Sequence, residues 1–591
     1  MSNYLFVLGS PAQIDRAAAW LQRFSADHAS ELARLQINAH TEALYVAPDA
    51  AGDLGANSVF KGYAIDLQGR QLIYGAPGFA AWAGAGESRS LAAEPIEGCY
   101  FCVEWNDRVV RVGHDAFGQC ALLYFDNDGL VAASDSMFVL TELRKGLGLP
   151  CRLNVPACVA RSWDNIMASV PMSEATTIEG VRYGGLGTSL EIRLTPSPAL
   201  NVRRNPAHET FAAHAPSYRD AIREGAQQVA ALIRTFAAEG PNVTRVAVSG
   251  GSDSRVLLAA ALRSPEGREN VIFNSNPAYE EYALVEKLSE RFAFPLGRRE
   301  GPRLRGTSRK VNEDIGLWWL ANAGLYDHFY LPRQIATAGA NGFDLGGHGG
   351  ELYKGNYGWR RIQAIARLFK NEQLKAAFVE QTVAGLEAMQ VPADTPQSSE
   401  WHFLGYRNAL HAGRSTIMSM IAVRPLQLRA LVGASRSPDN PMPTPRQQAL
   451  GMVGDLIAVL HPELAWAPYD DERKNLTAEH VQGRVQALGG TLAESDVDLF
   501  RFAGDYRTVV CGYPETFMAI ARARGFAVAL DRPQLYEFAR AGLERVTDST
   551  LREIYVPMLE AIAEDLPNAD VPFSAMRMRP AKCVSFLLAD G

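Results

Sequence analysis

The sequence predicts a chain in two parts. A β-rich N-terminal part of short antiparallel strands leads into an α/β part with a parallel, doubly wound sheet and a helical extension. Three features carry this expectation. From about 42 to 140, short apolar runs alternate with Gly, Asp and Asn turns. From 243 to 292 the order is strand, glycine turn, helix, strand, helix, which lays strands parallel with ligands at their C-terminal ends. Residues 480–591 read as mostly helical. The boundary falls in residues 195–215, which are loop-like through Pro196, Pro198, Asn201, Asn205 and Pro206, so the predicted domains are 1–205 and 206–591.

Taken in order, residues 4–9 read as an opening strand and Ala12–Leu35 as amphipathic helix. In the stretch Ile96–Phe125, Asn106-Asp107 turns one strand into the next and Phe117-Gly118 breaks the second from a third. Asp126–Gly129 then turns into Leu130–Ser134. Cys99 and Cys102 form a C-x-x-C, but in a strand positions i and i+3 face opposite ways, so they read as packing residues. Helical sequence runs to about Glu239. Val243, Val246 and Val248 then end abruptly in Gly250-Gly251, and Val256–Leu262 resumes a helical pattern.

A buried strand, a glycine turn and a helix start are the parts of a phosphate cradle. Gly250 and Gly251 allow close backbone approach and positive φ, and Ser249, Ser252 and Ser254 supply hydroxyls beside the helix-start N–H groups. Asp253 would repel phosphate unless it holds a hard divalent cation bridging to it. The next strand, Val271–Asn274, precedes a helix from about Glu280 to Phe292 and makes Phe273 a candidate to line a nucleotide base. Arg298, Arg299, Arg303, Arg305, Arg309 and Lys310 form a basic run, either a solvated loop or a flap over pyrophosphate or an acidic substrate. Asn440–Pro445 reads as a surface loop.

A net charge of −7 argues against general nucleic-acid binding. No run approaches the roughly 20 apolar residues of a membrane helix, and the first residues lack the pattern of a signal peptide. Seven scattered cysteines suit reduced thiols in the cytoplasm.

No Gly-Lys-Ser/Thr follows the glycines, so this is not a Walker loop; Ser249–Ser254 resembles the Ser-Gly-Gly-x-Asp-Ser loop of ATP pyrophosphatases. His114–Gly118, Leu123-Tyr124-Phe125, Ser134-Asp135 and Thr176–Arg182 resemble the end of the glutaminase domain of asparagine synthetases and its bridge to the synthetase domain. In Phe343–Tyr357, Gly347, Gly349, Gly350, Gly355 and Tyr357 match that family's second loop. Glu351 takes the place of the Asp that holds magnesium together with the first loop's Asp, and His348 that of the Glu handling the proton of the incoming amine. Gly413-Arg414-Ser415, Ser419 and Ile421–Leu426 resemble a segment beside the substrate pocket. There Arg424 could meet a carboxylate or phosphate, while Arg414 is equally an ion-pair residue. Lys474 stands where the family carries its catalytic lysine, the alternative being an exposed lysine.

The resemblance, over roughly 96–475, implies an Ntn-hydrolase-like sandwich of the class II glutaminase kind and an adenine nucleotide α-hydrolase-like domain using ATP and Mg2+. It implies adenylation of a carboxylate with release of pyrophosphate, then amide formation by attack of an amine. Two departures matter. Position 2 is Ser2 and no cysteine precedes Cys99, so the N-terminal thiol of a glutaminase is missing; the family's Asn-Gly-Glu loop has no counterpart in 50–95. Glutamine hydrolysis is therefore not expected. β-Lactam synthetases and lasso-peptide cyclases, which use an amine within a small-molecule or peptide substrate, share this degenerate architecture. Ammonia, a pathway partner enzyme or a homodimer are further possibilities. Tyr357 and Arg424 are the substrate-binding candidates. The other classes are a tRNA-modifying enzyme, which the acidic charge disfavours, and a non-catalytic nucleotide-binding scaffold.

Overall fold

The computed structural model describes residues 4–25, 28–85, 89–195, 197–212, 215–277, 280–298, 315–321, 323–327, 339–413, 420–441, 450–510, 512–528, 531–566 and 578–590. Among these residues it is a mixed α/β structure with an antiparallel sheet, a mainly antiparallel sheet with one parallel edge strand, a parallel sheet and many helices. The N-terminal strands are β1 (Leu5–Gly9), β2 (Leu32–Asn38), β3 (Thr41–Val46), β4 (Ser58–Asp66), β5 (Gln71–Tyr74), β6 (Glu97–Trp105), β7 (Val109–His114), β8 (Leu122–Asn127), β9 (Leu130–Ser134), β10 (Arg182–Gly184), β11 (Thr188–Arg193) and β12 (Ala199–Arg204). One sheet has the order β10-β8-β9-β1-β3-β2, and the other contains β12-β11-β7-β6-β4-β5.

The two sheets pack face to face, with the Tyr4 and Phe101 rings stacked at 3.8 Å between them. Helix Pro11–Ser25 covers the outer face of the first sheet at β1 and β3, and helix Gly75–Gly84 covers β4 and β5 of the second. Alternation along β6 follows from this layering. Cys99, Phe101 and Val103 enter the main core, while Tyr100 and Cys102 join Phe60, Phe79 and Trp82 in a smaller cluster beneath helix Gly75–Gly84. Cys99 and Cys102 therefore lie on opposite faces, each buried as a packing residue.

The second half contributes β13 (Thr244–Ala247), β14 (Val271–Ser275), β15 (Leu296–Arg298), β16 (Phe343–Leu345) and β17 (Ile421–Val423). All run parallel in the order β15-β14-β13-β16-β17. The chain moves outward in one direction from β13 and then in the other, so a topological switch point lies between β13 and β16. Helices Tyr218–Ala238, Ser252–Ala261 and Gly451–Leu460 pack against one another beside this sheet.

Four sequence expectations need correction. The helix predicted over Ala12–Leu35 ends by Ser25, because Leu32–Asn38 pairs antiparallel with β3 around a turn in which Asn38 Oδ1 accepts the His40 N–H at 2.9 Å. Residues 199–204, read as loop, form β12 on β11; an edge strand needs only one strand partner and can carry the Asn and Arg side chains outward. Residues 501–503, within the segment read as helical, form β18 (Arg501–Ala503), which pairs parallel with β5 and extends the second sheet. Asn440, expected on a surface loop, is buried and donates to the Ser435 carbonyl at 2.9 Å; residues 442–445 lie outside the described residues. No described helix is long and apolar enough to cross a membrane.

Candidate functional site

Three loops leave the C-terminal ends of β13, β16 and β17 at the switch point, and each carries predicted site residues. After β13 the chain turns through Ser249, Gly250 and Gly251 into helix Ser252–Ala261, whose first turn holds Asp253. The turn is fixed by its own hydroxyls. Ser254 Oγ lies 3.0 Å from Ser249 Oγ and accepts the Ser249 N–H at 3.0 Å, while Ser249 Oγ accepts the Gly251 N–H at 3.2 Å. Neither glycine adopts positive φ, and Gly250 serves by its size. A Cβ at Gly250 would stand 2.7 Å from Asp470 Cβ and 2.9 Å from Glu281 Cβ.

The loop after β16 lies directly against this helix start. A Cβ on Gly347 would come within 2.8 Å of the Ser254 nitrogen, and one on Gly350 would collide with Asp253 Oδ1. Gly349 takes φ +117, which reserves the position for glycine. Glu351 begins the short helix Glu351–Lys354; its Oε2 accepts the Gly349 N–H at 2.9 Å, and its buried Oε1 has no hydrogen-bond partner among the described residues. Burial, and after it the neighbouring Asp253 charge, raises the Glu351 carboxyl above the ordinary carboxylate range. Lys354 Nζ pairs with Asp253 Oδ2 at 2.7 Å.

Arg424 follows β17, is 4% exposed, and donates from Nη1 to the Val423 carbonyl at 3.3 Å. A Cβ on Gly346 would be 3.0 Å from the same Nη1, so Arg424 props the second loop from beneath, where the sequence suggested direct contact with substrate. Burial lowers its pKa, opposed chiefly by the Asp344 charge. Phe273 is also corrected: the ring is wholly buried and packs on Phe294 at 4.9 Å, within the core of the sheet. Its place midway along β14 did not reveal from sequence which face the side chain takes.

Lys474, distant in sequence, is tied to the first loop. Its Nζ pairs with Asp470 Oδ1 at 2.7 Å, and the Asp470 N–H donates to the Gly250 carbonyl at 3.1 Å. Arg255 holds this segment in place. It is fully buried in helix Ser252–Ala261, donates to the carbonyls of Ala467 and Pro468 at 2.7 Å each, and stacks on Tyr469 at 3.7 Å. His348 stands beside His411, the rings edge to face at 5.1 Å.

Tyr357 faces elsewhere. Its N–H, with those of Asn356 and Trp359, is accepted by the buried Glu400 carboxylate at 2.7–3.1 Å. The residue lines a groove of about 670 Å³ together with Trp163, Ile166 and Leu368, and the last two expose 45% and 61% of their surface. Sequence reading missed Lys354, Asp470, Arg255 and His411. Lys354 stood in the quoted motif, and its spacing of three from Glu351 was the signal available; His411 had none. Arg299, Arg303, Arg305, Arg309 and Lys310 of the basic run, with Arg414, Ser415, Ser419 and Ser2, lie outside the described residues.

The arrangement can receive an anion at the helix start and a hard cation between Asp253 and Glu351, whose orphaned buried oxygen fits such a ligand role. No family model matches the sequence, and no curated protein matches it.

Proposed function

We infer that the protein is an ATP-dependent amide-bond-forming synthetase of the asparagine synthetase kind, with the sandwich as a degenerate Ntn-hydrolase-like domain and the parallel sheet as an adenine nucleotide α-hydrolase-like domain. The supporting observation is the convergence at one switch point of Asp253, Glu351 and the Lys474 segment, each reached from a different part of the chain. Ligands bind at such points in open α/β sheets.

The helix-start N–H groups and the Ser249–Ser254 turn would cradle the phosphates of ATP. Asp253 and Glu351 would hold magnesium, which when bound neutralises phosphate charge. A substrate carboxylate oxygen attacks the α phosphorus, the bond to the bridging oxygen breaks, and pyrophosphate leaves, with Lys474 balancing the developing charge. An amine then attacks the acyl carbon, AMP leaves with the C–O bonding pair, and neutral His348 accepts the amine proton. Lys354 competes with a cation for Asp253, so its ammonium swings away when the site fills. Carboxylate and amine would belong to one substrate, in a lactam- or macrolactam-forming reaction.

Pyrophosphate exchange into ATP, across a panel of carboxylates including peptides with acidic side chains, tests the reading. AMP and pyrophosphate are the expected products, and Asp253→Ala should reduce exchange at least 100-fold while the fold persists. Release of ADP and phosphate by the intact protein overturns it. Incubation with glutamine should yield no glutamate above background.

A further inference from the structure

We propose that His348, His411 and Glu351 form a binding site for a borderline divalent transition-metal ion of the zinc or cobalt type, which pins the loop after β16 to the helix Ala409–Gly413.

One nitrogen of each imidazole and one oxygen of Glu351 all lie within 4.8 Å of one another. A tetrahedral set at about 2.1 Å from an ion places its ligand atoms about 3.4 Å apart, so closure needs a shift of little more than an ångström.

Two further observations point to a ligand. Glu351 Oε1 is buried with no hydrogen-bond partner among the described residues, a costly state for a carboxylate. On the other side, His411 Nδ1 is 3.1 Å from the hydroxyl of buried Tyr326, so a ring that donates from Nδ1 to that oxygen presents Nε2 as its ligand atom. A ring nitrogen anchored to an oxygen while the other faces an ion is the usual outer-shell arrangement of a metal-binding histidine.

The donor set selects the ion. Magnesium is held by oxygen ligands and by charge, and here one carboxylate is set among two imidazoles with Lys354 and Arg424 close by. Imidazole nitrogen bonds zinc, cobalt and their neighbours strongly enough to tolerate nearby positive charge. The site is separate in chemistry from magnesium between Asp253 and Glu351, although Glu351 belongs to both. It does not rest on the ligase reading. It does bear on it, because an imidazole nitrogen bonded to a metal cannot also accept a proton from an amine.

The experiment titrates the full chain, freed of metal and without nucleotide, with Co2+, following the visible d–d bands and then displacement by Zn2+. One ion per chain with a dissociation constant in the micromolar range or tighter is expected, with band intensity typical of four- or five-fold coordination. A thousand-fold excess of Mg2+ should leave the bands in place. His411→Gln and His348→Gln should each weaken binding at least ten-fold, as should Glu351→Gln, with circular dichroism confirming that each variant folds. Absence of saturable Co2+ binding to the wild type overturns the proposal, as does binding that survives in both histidine variants or is displaced by Mg2+. If one variant fails to fold, the other two decide. Failure here leaves AMP formation to be judged on its own assay, and the converse holds as well.

Discussion

At the scale of single residues, the buried histidines offer the clearest pH signal. His114 and His402 are both buried, and burial lowers each to about 4. Each ring meets a backbone carbonyl, His114 Nδ1 at Cys120 (3.0 Å) and His402 Nε2 at Met172 (2.9 Å). The folded state therefore binds fewer protons than the unfolded state between about 4 and the unfolded value near 6.5. Stability rises with pH through that window and is lost on acidification. Between pH 7 and 5 each histidine should remove about 2 kcal/mol. Urea unfolding at the two pH values should show this loss, and His402→Gln, which keeps a donor for Met172, should remove about half of the histidine share. An unchanged pH dependence in that variant would show that His402 takes up its proton alike in the folded and unfolded states.

At the scale of elements, the site depends on a segment that is held by one side chain. Arg255 satisfies the carbonyls of Ala467 and Pro468, with Leu464 at 3.4 Å, and so fixes Asp470 against Gly250 and Lys474 beside the Ser249–Ser254 turn. Burial lowers its pKa, and those carbonyls together with the Tyr469 ring compensate the buried charge. Arg255→Leu removes the donors and leaves at least two buried acceptors unmet, at a cost of about 3 kcal/mol. A loss of that size in the unfolding free energy from urea titration is expected and, on the proposed ligase function, a higher ATP requirement for exchange. A loss under about 1 kcal/mol would mean that the 464–475 segment is held mainly by its apolar contacts.

At the scale of the whole molecule, the two halves share structure. β18, from the C-terminal region, completes the sheet edge at β5. Glu31 caps helix Glu515–Ala523, accepting the N–H groups of Glu515 and Thr516 at 2.7 and 2.9 Å. Lys582 is buried in the N-terminal part, donating to the carbonyls of Arg161, Trp163 and Ala168 with Asp327 3.7 Å away. Burial pulls its pKa down to about 8. Tyr63 reaches the Ala422 carbonyl at 2.9 Å, and Glu97 pairs with Arg429 at 3.1 Å. The full chain should therefore unfold in a single calorimetric transition, and residues 1–205 expressed alone should lack a cooperative melt. A dispersed amide spectrum from that fragment would show that these contacts decorate a sandwich already stable by itself.

The sequence by itself determined what depends on short-range pattern. The β13 run ending at Gly250-Gly251, the turn at Asn106-Asp107 and the opposite faces of Cys99 and Cys102 follow from period-two alternation and turn chemistry, which are local. The resemblance at 343–357 also implied Glu351 beside Asp253, and the two carboxyls lie within reach of each other's charge where the loops after β13 and β16 meet. Tertiary structure alone decided the rest. Strand β2 and β18 exist because an exposed sheet edge offers hydrogen bonds that local propensity does not anticipate. Phe273, midway along β14, faces the core and Arg424 lies against the loop after β16, because the orientation of a side chain depends on which layers cover the sheet. His411 meets His348 across 62 intervening positions of sequence, and no spacing rule connects a glycine-rich loop to the end of a distant helix. Chain order fixes which elements are neighbours in sequence; packing selects which side chains share a site.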